Sequence, residues 1–131
     1  MKFHLKTVSY IVNKPFGRYY IPARYQYVIL RDYFKNNNTL FSLPQGEPAF
    51  SKTSIRLRTI IKNLNRNDSL ILLSMYVLPE DNQIRNLIFK QLIKKKIITH
   101  FIFENIVANN KKKYDKVLNL YKLNKFFKFN T

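Results

Sequence analysis

The chain has 131 residues, 46% of them hydrophobic, with 24 lysines and arginines against 7 acids, a formal charge of +17, and no cysteine. That length supports one domain with one core, the apolar share excludes a disordered chain, and the missing cysteine excludes disulfides and thiolate metal sites. No run approaches the roughly eighteen consecutive apolar residues of a membrane span. The opening Met-Lys-Phe-His-Leu-Lys lacks the apolar core of a secretion signal, so a cytoplasmic protein is expected.

In chain order, Val8 to Val12 reads as a first strand, followed by Asn-Lys-Pro-Phe-Gly-Arg, a loop with both Pro and Gly. Pro22 opens a helix, where its missing N–H costs nothing. Ala23, Tyr27, Leu30 and Phe34 form an apolar stripe along it, and Asn36 to Asn38 end it. Thr39 to Leu43 is expected as a short second strand, followed by the turn-rich Pro-Gln-Gly-Glu-Pro. A second helix is expected from about Thr53 to Leu64, with Leu57, Ile60, Ile61 and Leu64 on one face.

Ser69 to Glu80 is the stretch around which the rest is arranged. Its apolar run, bounded by turn signals, fits a strand buried on both faces inside a parallel sheet, with Ser74 within it and Pro79 ending it. Asp81 then caps a third helix, Asn82 to Lys95, expected to bury Ile84, Leu87, Ile88 and Leu92. Lys94, Lys95 and Lys96 suit its negative end. Ile97 to Phe103 is a fourth strand closed by Glu104, and Tyr114, Val117, Leu118 and Tyr121 mark a fourth helix. The alternation predicts a single α/β domain over residues 1–131. Its sheet is mostly parallel, with four or five strands and helices on both faces, and residues 111–131 form a basic C-terminal helix and tail.

The charge invites a polyanion partner, nucleic acid or an acidic membrane surface. The abundance of Lys, Asn, Ile, Phe and Tyr is also what an AT-rich genome produces without any selection for binding. The acids are more telling. Glu47, Glu80, Asp81 and Glu104 all follow strands, as do Lys14 and Arg18, so a parallel sheet would gather them on its carboxyl edge, where open α/β folds bind ligands. Arg24 and Arg31 share a face of the first helix. Arg85 sits in the first turn of the third, against the helix dipole, where it suits either an anion or an ion pair with Asp81. With two glycines in the chain, no phosphate-binding glycine loop or dinucleotide fingerprint can be written, and no Gly-x-Ser-x-Gly elbow exists. His4 and His100 are the only histidines; His100 and Glu104 share a side of the fourth strand, but two ligands do not make a metal site, and no metal or cofactor is expected. The tail, Lys-Leu-Asn-Lys-Phe-Phe-Lys-Phe-Asn-Thr, alternates lysine with phenylalanine in a way that suits nucleic acid, an anionic membrane or packing on the core.

From Tyr10 onward the path resembles the catalytic domain of the serine resolvases and invertases, with Gln26 on the first helix, the Asn67-Asp68 step before the central strand and Glu104 after the fourth. The recombinase residues do not carry over. Where that family has Tyr-x-Arg-x-Ser, this chain reads Tyr10-Ile11-Val12-Asn13-Lys14, and in place of an Asp-Arg-Leu-x-Arg run it has Tyr76-Val77-Leu78-Pro79-Glu80. A second resemblance rests on Arg31-Asp32-Tyr33, on Ser74 through Leu78-Pro79-Glu80, and on Arg85, Phe89 and Phe101-x-Phe103-Glu104. These look like the sporadic carbohydrate cluster proteins, encoded among genes for bacterial surface polysaccharides. That resemblance implies a role in O-antigen or capsule biosynthesis, as an accessory protein or a small enzyme. On this reading a sugar or sugar phosphate binds at the carboxyl edge. Arg31, Ser74, Glu80 and Arg85 are the expected ligand contacts, with Glu47 and Glu104 as acid and base. A homodimer is a further expected partner. The alternatives are a nucleic-acid-binding module without recombinase activity and a scaffold of a glycan-synthesis complex.

Overall fold

The computed structural model of the protein describes residues 5–47 and 54–129. Its elements are β1 (Thr7–Ile11), α1 (Ala23–Asn36), β2 (Gln45–Gly46), α2 (Ile55–Asn63), β3 (Ser69–Leu72), α3 (Asn82–Lys95), β4 (Ile98–Phe101), β5 (Ile106–Ala108) and α4 (Lys111–Phe129). A single 3₁₀ turn, Met75–Val77, follows β3. The strands form one five-stranded sheet in the order β2-β1-β3-β4-β5, parallel throughout except where β5 returns antiparallel to β4. The expected α/β domain with helices on both faces of a mostly parallel sheet is therefore present. His4, Thr53 and Asn130 to Thr131 lie outside the described residues. Among the described residues no helix is long and apolar enough to cross a membrane.

Neighbouring strand residues point to opposite faces, and two pairs of contacts show which helix covers which. On β4, His100 meets Tyr33 of α1, while Thr99 hydrogen-bonds Tyr114 of α4 at 2.8 Å. Through the ladder, Tyr10, Leu72 and Phe101 lie in register on the α4 side, whereas Ser9, Ile71 and His100 face α1. The pairs α2–α3 and α3–α4 also touch, so α2, α3 and α4 form one layer and α1 the other. The main core fills the three-helix side, with Tyr10, Leu70, Leu72 and Phe101 fully buried beneath Leu57, Leu92 and Tyr114. Burying a residue of that size stabilises by about 1.5–3 kcal/mol, which is why β3 is apolar on both faces.

Several boundaries differ from the sequence expectation, each for a local reason. Thr39 to Leu43 is not a strand; Leu40 and Leu43 are exposed, and Phe41 packs edge-on against Phe34 at 5.3 Å. Pro44 has no N–H to donate, so pairing with β1 starts only beyond it, at Tyr10–Gln45 and Ile11–Gly46. β3 stops at Leu72, and Ser74 is not part of it: its Oγ accepts from Tyr76 N at 3.2 Å and caps the 3₁₀ turn. In α3 the buried residues are Arg85, Ile88, Phe89 and Leu92, while Leu87, expected inside, is 56% exposed. The helix is rotated because Arg85, fully buried, claims a place on the inner face. Asp81 caps α3 as expected, accepting from Gln83 N at 2.9 Å and Ile84 N at 3.0 Å. Lys95 is not merely a helix-end charge. Its ammonium donates to the carbonyls of Ile61, Lys62 and Leu64 at 2.7–2.9 Å and closes the C-terminus of α2.

His100 and Tyr33 meet at 2.6 Å through Nδ1 and the hydroxyl, and burial holds the imidazole below its ordinary pKa of about 6.5. A folded state that resists protonation binds fewer protons than the unfolded chain, so this contribution is complete above about pH 6.5 and is lost as the pH falls below it. Urea denaturation from neutral to mildly acidic pH should show that decline. In His100→Gln, which still accepts from Tyr33, the part of the decline starting near pH 6.5 should disappear.

Candidate functional site

The strand order reverses between β1 and β3, and in this topology the crevice at their carboxyl ends is where ligands sit. Here the loop after β1 folds into it. Gln26 of α1, fully buried, holds both ends of that loop, its Nε2 donating to the carbonyls of Val12 at 2.8 Å and Ile21 at 2.7 Å. Between them Phe16 and Tyr19 exchange backbone hydrogen bonds at 2.9 Å each, making a tight turn over Gly17 and Arg18. Gly17 has φ +60°, and a Cβ there would lie 2.9 Å from the ring of Tyr76, so the position demands glycine twice over. Phe16 is buried, and Tyr19 meets Phe103 edge-on at 5.1 Å. Lys14, Arg18, Tyr19 and Tyr20 are left exposed at the rim.

Beside this loop, the ends of β3 and β4 are joined by Glu104. One carboxylate oxygen accepts from Ser74 Oγ and the other from Met75 N, both at 2.7 Å. The acid thus caps the 3₁₀ turn from across the sheet, while Ser74 caps it from within. Glu47, after β2, does the same for α2, accepting from Arg56 N at 2.9 Å and Leu57 N at 3.3 Å, with the Tyr10 hydroxyl donating to it at 2.7 Å. Ser54, the residue at the helix start, has φ 55° and makes no side-chain cap of its own. Burial first, and the bond to Glu47 second, push the Tyr10 hydroxyl far above its ordinary pKa, so it remains a donor.

Arg85 is the largest fully buried side chain. One of its terminal nitrogens donates to the carbonyls of Pro79 at 3.1 Å and Glu80 at 3.0 Å, and the other bonds the side chain of Asn82. Its guanidinium lies 4.1 Å from the ring centroid of Tyr121, a desolvated cation–π contact of the kind worth about 2 kcal/mol. Tyr121 in turn packs on Tyr76 at 5.5 Å. Arg85 therefore ties the connection after β3 to α3 and α4.

Of the expected site residues, Ser74 and Glu104 are brought together, and Glu80 joins Arg85 through its carbonyl alone. Arg31 stands apart. It is exposed on α1, 5.8 Å from the ring of Phe41. Since α1 starts at the carboxyl edge beside Val12, eight residues of helix carry Arg31 about 12 Å toward the other edge. It also sits on the face opposite α3, so Arg31 and Arg85 do not converge on one ligand. His100 and Glu104 each have another partner, and among the described residues no group of three potential ligands could hold a metal ion. Sequence reading passed over the exposed aromatic part of the rim, Tyr19 and Tyr20. A signal was present, since Gly17 is one of two glycines in the whole chain. No known family model and no curated protein matches the chain.

Replacing Glu104 tests how much this junction carries. Glu104→Leu leaves the Ser74 hydroxyl and the Met75 amide without their acceptor, and a buried unmet donor costs about 1–3 kcal/mol. Urea denaturation should show a loss of about 2–4 kcal/mol for that variant. Glu104→Gln, which still offers one acceptor, should lose about 1 kcal/mol and keep its fold.

Proposed function

We propose that the carboxyl edge of the sheet binds a sugar phosphate or nucleotide sugar, and that the protein serves surface-carbohydrate biosynthesis, as its resemblance to the sporadic carbohydrate cluster proteins implies. The observation that carries the reading is the loop after β1. It is fixed at both ends by Gln26 and pinned at Gly17 against Tyr76, yet it leaves cations and aromatic rings facing solvent. A loop of that kind positions function on a rigid scaffold. Lys14 and Arg18 suit a phosphate, and the rings of Tyr19 and Tyr20, 43% and 64% exposed, suit the apolar face of a sugar.

The role is one of binding. Glu47 and Glu104, the residues of the right type for acid and base, already accept hydrogen bonds from backbone amides and hydroxyls on both oxygens. Removing either from those partners would open the fold around it, which is a poor starting point for proton transfer. Arg85 is likewise committed to backbone carbonyls. Anion recognition passes instead to Lys14 and Arg18, which have no such structural duty.

A thermal-shift screen against UDP-glucose, glucose 1-phosphate, inorganic phosphate and a short DNA duplex, at low and high salt, tests the reading. A sugar compound should stabilise the protein in both salts, because a ligand with one or two phosphates releases few counterions. Arg18→Ala should fold normally and weaken the phosphorylated sugar about tenfold, the loss of one charge-assisted contact, while Tyr20→Ala should weaken it by a smaller factor. Stabilisation by DNA alone, lost at high salt, or no response to any sugar compound, would refute it.

A further inference from the structure

The layer of α2, α3 and α4 is the strongly charged side of the molecule. Arg58 and Lys62 of α2, Lys90 of α3, and Lys112, Lys113 and Lys116 of α4 are all exposed there. Lys95 is not among them, being spent on the end of α2. Little opposes this charge. Asp81 is engaged at the start of α3, and Asp115 is the one acid in the described part of α4.

Large aliphatic side chains stand among these cations. Between α2 and α3 runs a groove of about 350 Å³ lined by Arg58, Thr59, Lys62 and Gln91, with Ile55 and Leu87 more than half exposed in it. On α4 the same pairing repeats: Lys112, Lys113 and Lys116 flank a second groove with Leu120 and the half-exposed Leu123. A single exposed leucine needs no explanation, but cations around aliphatic groups on neighbouring helices of one layer are a pattern.

We propose that this helical face docks on an anionic lipid bilayer. The lysines and arginines would meet headgroup phosphates, and Leu87 and Leu123 would enter the boundary with the acyl chains, as in helices that lie in the membrane interface. Nucleic acid would also attract the charge, but it has no use for exposed leucine. Its bases stack on aromatic rings, and the exposed tyrosines Tyr20 and Tyr25 lie on the loop after β1 and on α1, away from this layer. The inference is independent of the sugar-phosphate reading, since the helices lie flat on the sheet and leave its carboxyl edge at the side.

Sedimentation of the full chain with vesicles tests it. Vesicles of phosphatidylcholine and phosphatidylglycerol in equal parts should bind the protein, and vesicles of phosphatidylcholine alone should not. The triple variant K112A/K113A/K116A should bind the anionic vesicles on the order of a hundredfold more weakly, given what each basic residue contributes near such a surface. Leu87→Ser with Leu123→Ser should weaken binding several-fold while leaving its salt dependence unchanged. These positions are exposed, and circular dichroism should show unaltered folding. Equal binding to both vesicle types, no binding to either, or an unaffected lysine variant overturns the proposal. So does binding to a short DNA duplex or single-stranded RNA that the lysine variant loses while vesicles are ignored.

Discussion

A helix or turn presents, at its start, backbone N–H groups with no partner of their own. At α2, α3 and the 3₁₀ turn carboxylates meet that demand, while α1 starts at Pro22 with no side-chain cap. Glu47 accepts from the start of α2, Asp81 from the start of α3, and Glu104 from the 3₁₀ turn, while Asp68 accepts from Lys6 N and Asn65 N at the entry to β3. Three of these reach a partner through space rather than along the chain: Glu47 is ten residues from Leu57, Glu104 is 29 from Met75, and Asp68 is 62 from Lys6. Each one therefore holds two segments together.

Four of the 7 carboxylates accept hydrogen bonds from backbone amides, and 7 acids against 24 basic side chains leave the molecule strongly positive. The positive charge stays on the outside, most densely on the three-helix layer. The basic groups that do enter the structure behave in the mirror sense. Lys95 and Arg85 donate to backbone carbonyls, one closing α2 and the other holding the connection after β3. The buried and half-buried charged residues Glu47, Asp68, Arg85, Lys95 and Glu104 all bond the backbone.

The carboxyl edge follows from the same economy of contacts. Ser74 and Glu104 lock the ends of β3 and β4, Arg85 and Tyr121 fix the next connection, and Tyr76 receives Gly17. The crevice at the strand reversal is then partly filled by the protein's own loop, and the groups still open to a ligand are those on that loop's outer rim. The exposed rim of Lys14, Arg18, Tyr19 and Tyr20 owes its rigidity to the residues beneath it.

The sequence alone determined the α/β alternation, the burial of β3, the capping by Asp81 and the apolar face of α2, because each depends on the spacing of residues close together in the chain. It also placed Glu47, Glu80 and Glu104 after strands, which is a property of order. What those carboxylates bond was decided only by tertiary structure, since their partners lie on other segments and no local pattern marks them. The same holds for α3. Periodicity assigned Leu87 to the core, yet the burial of Arg85 under Tyr121, 36 residues further on, turned the helix and put Leu87 into solvent. Pro44 removed a donor, so β2 lies beyond the expected Thr39 to Leu43, and Ser74 offered a cap beyond the end of β3, small local effects that hydrophobicity does not register. Arg31 and Arg85 looked equivalent as sequence, but opposite faces of the sheet separate them, because a right-handed crossover on either side of β1 sends α1 to one layer and α3 to the other.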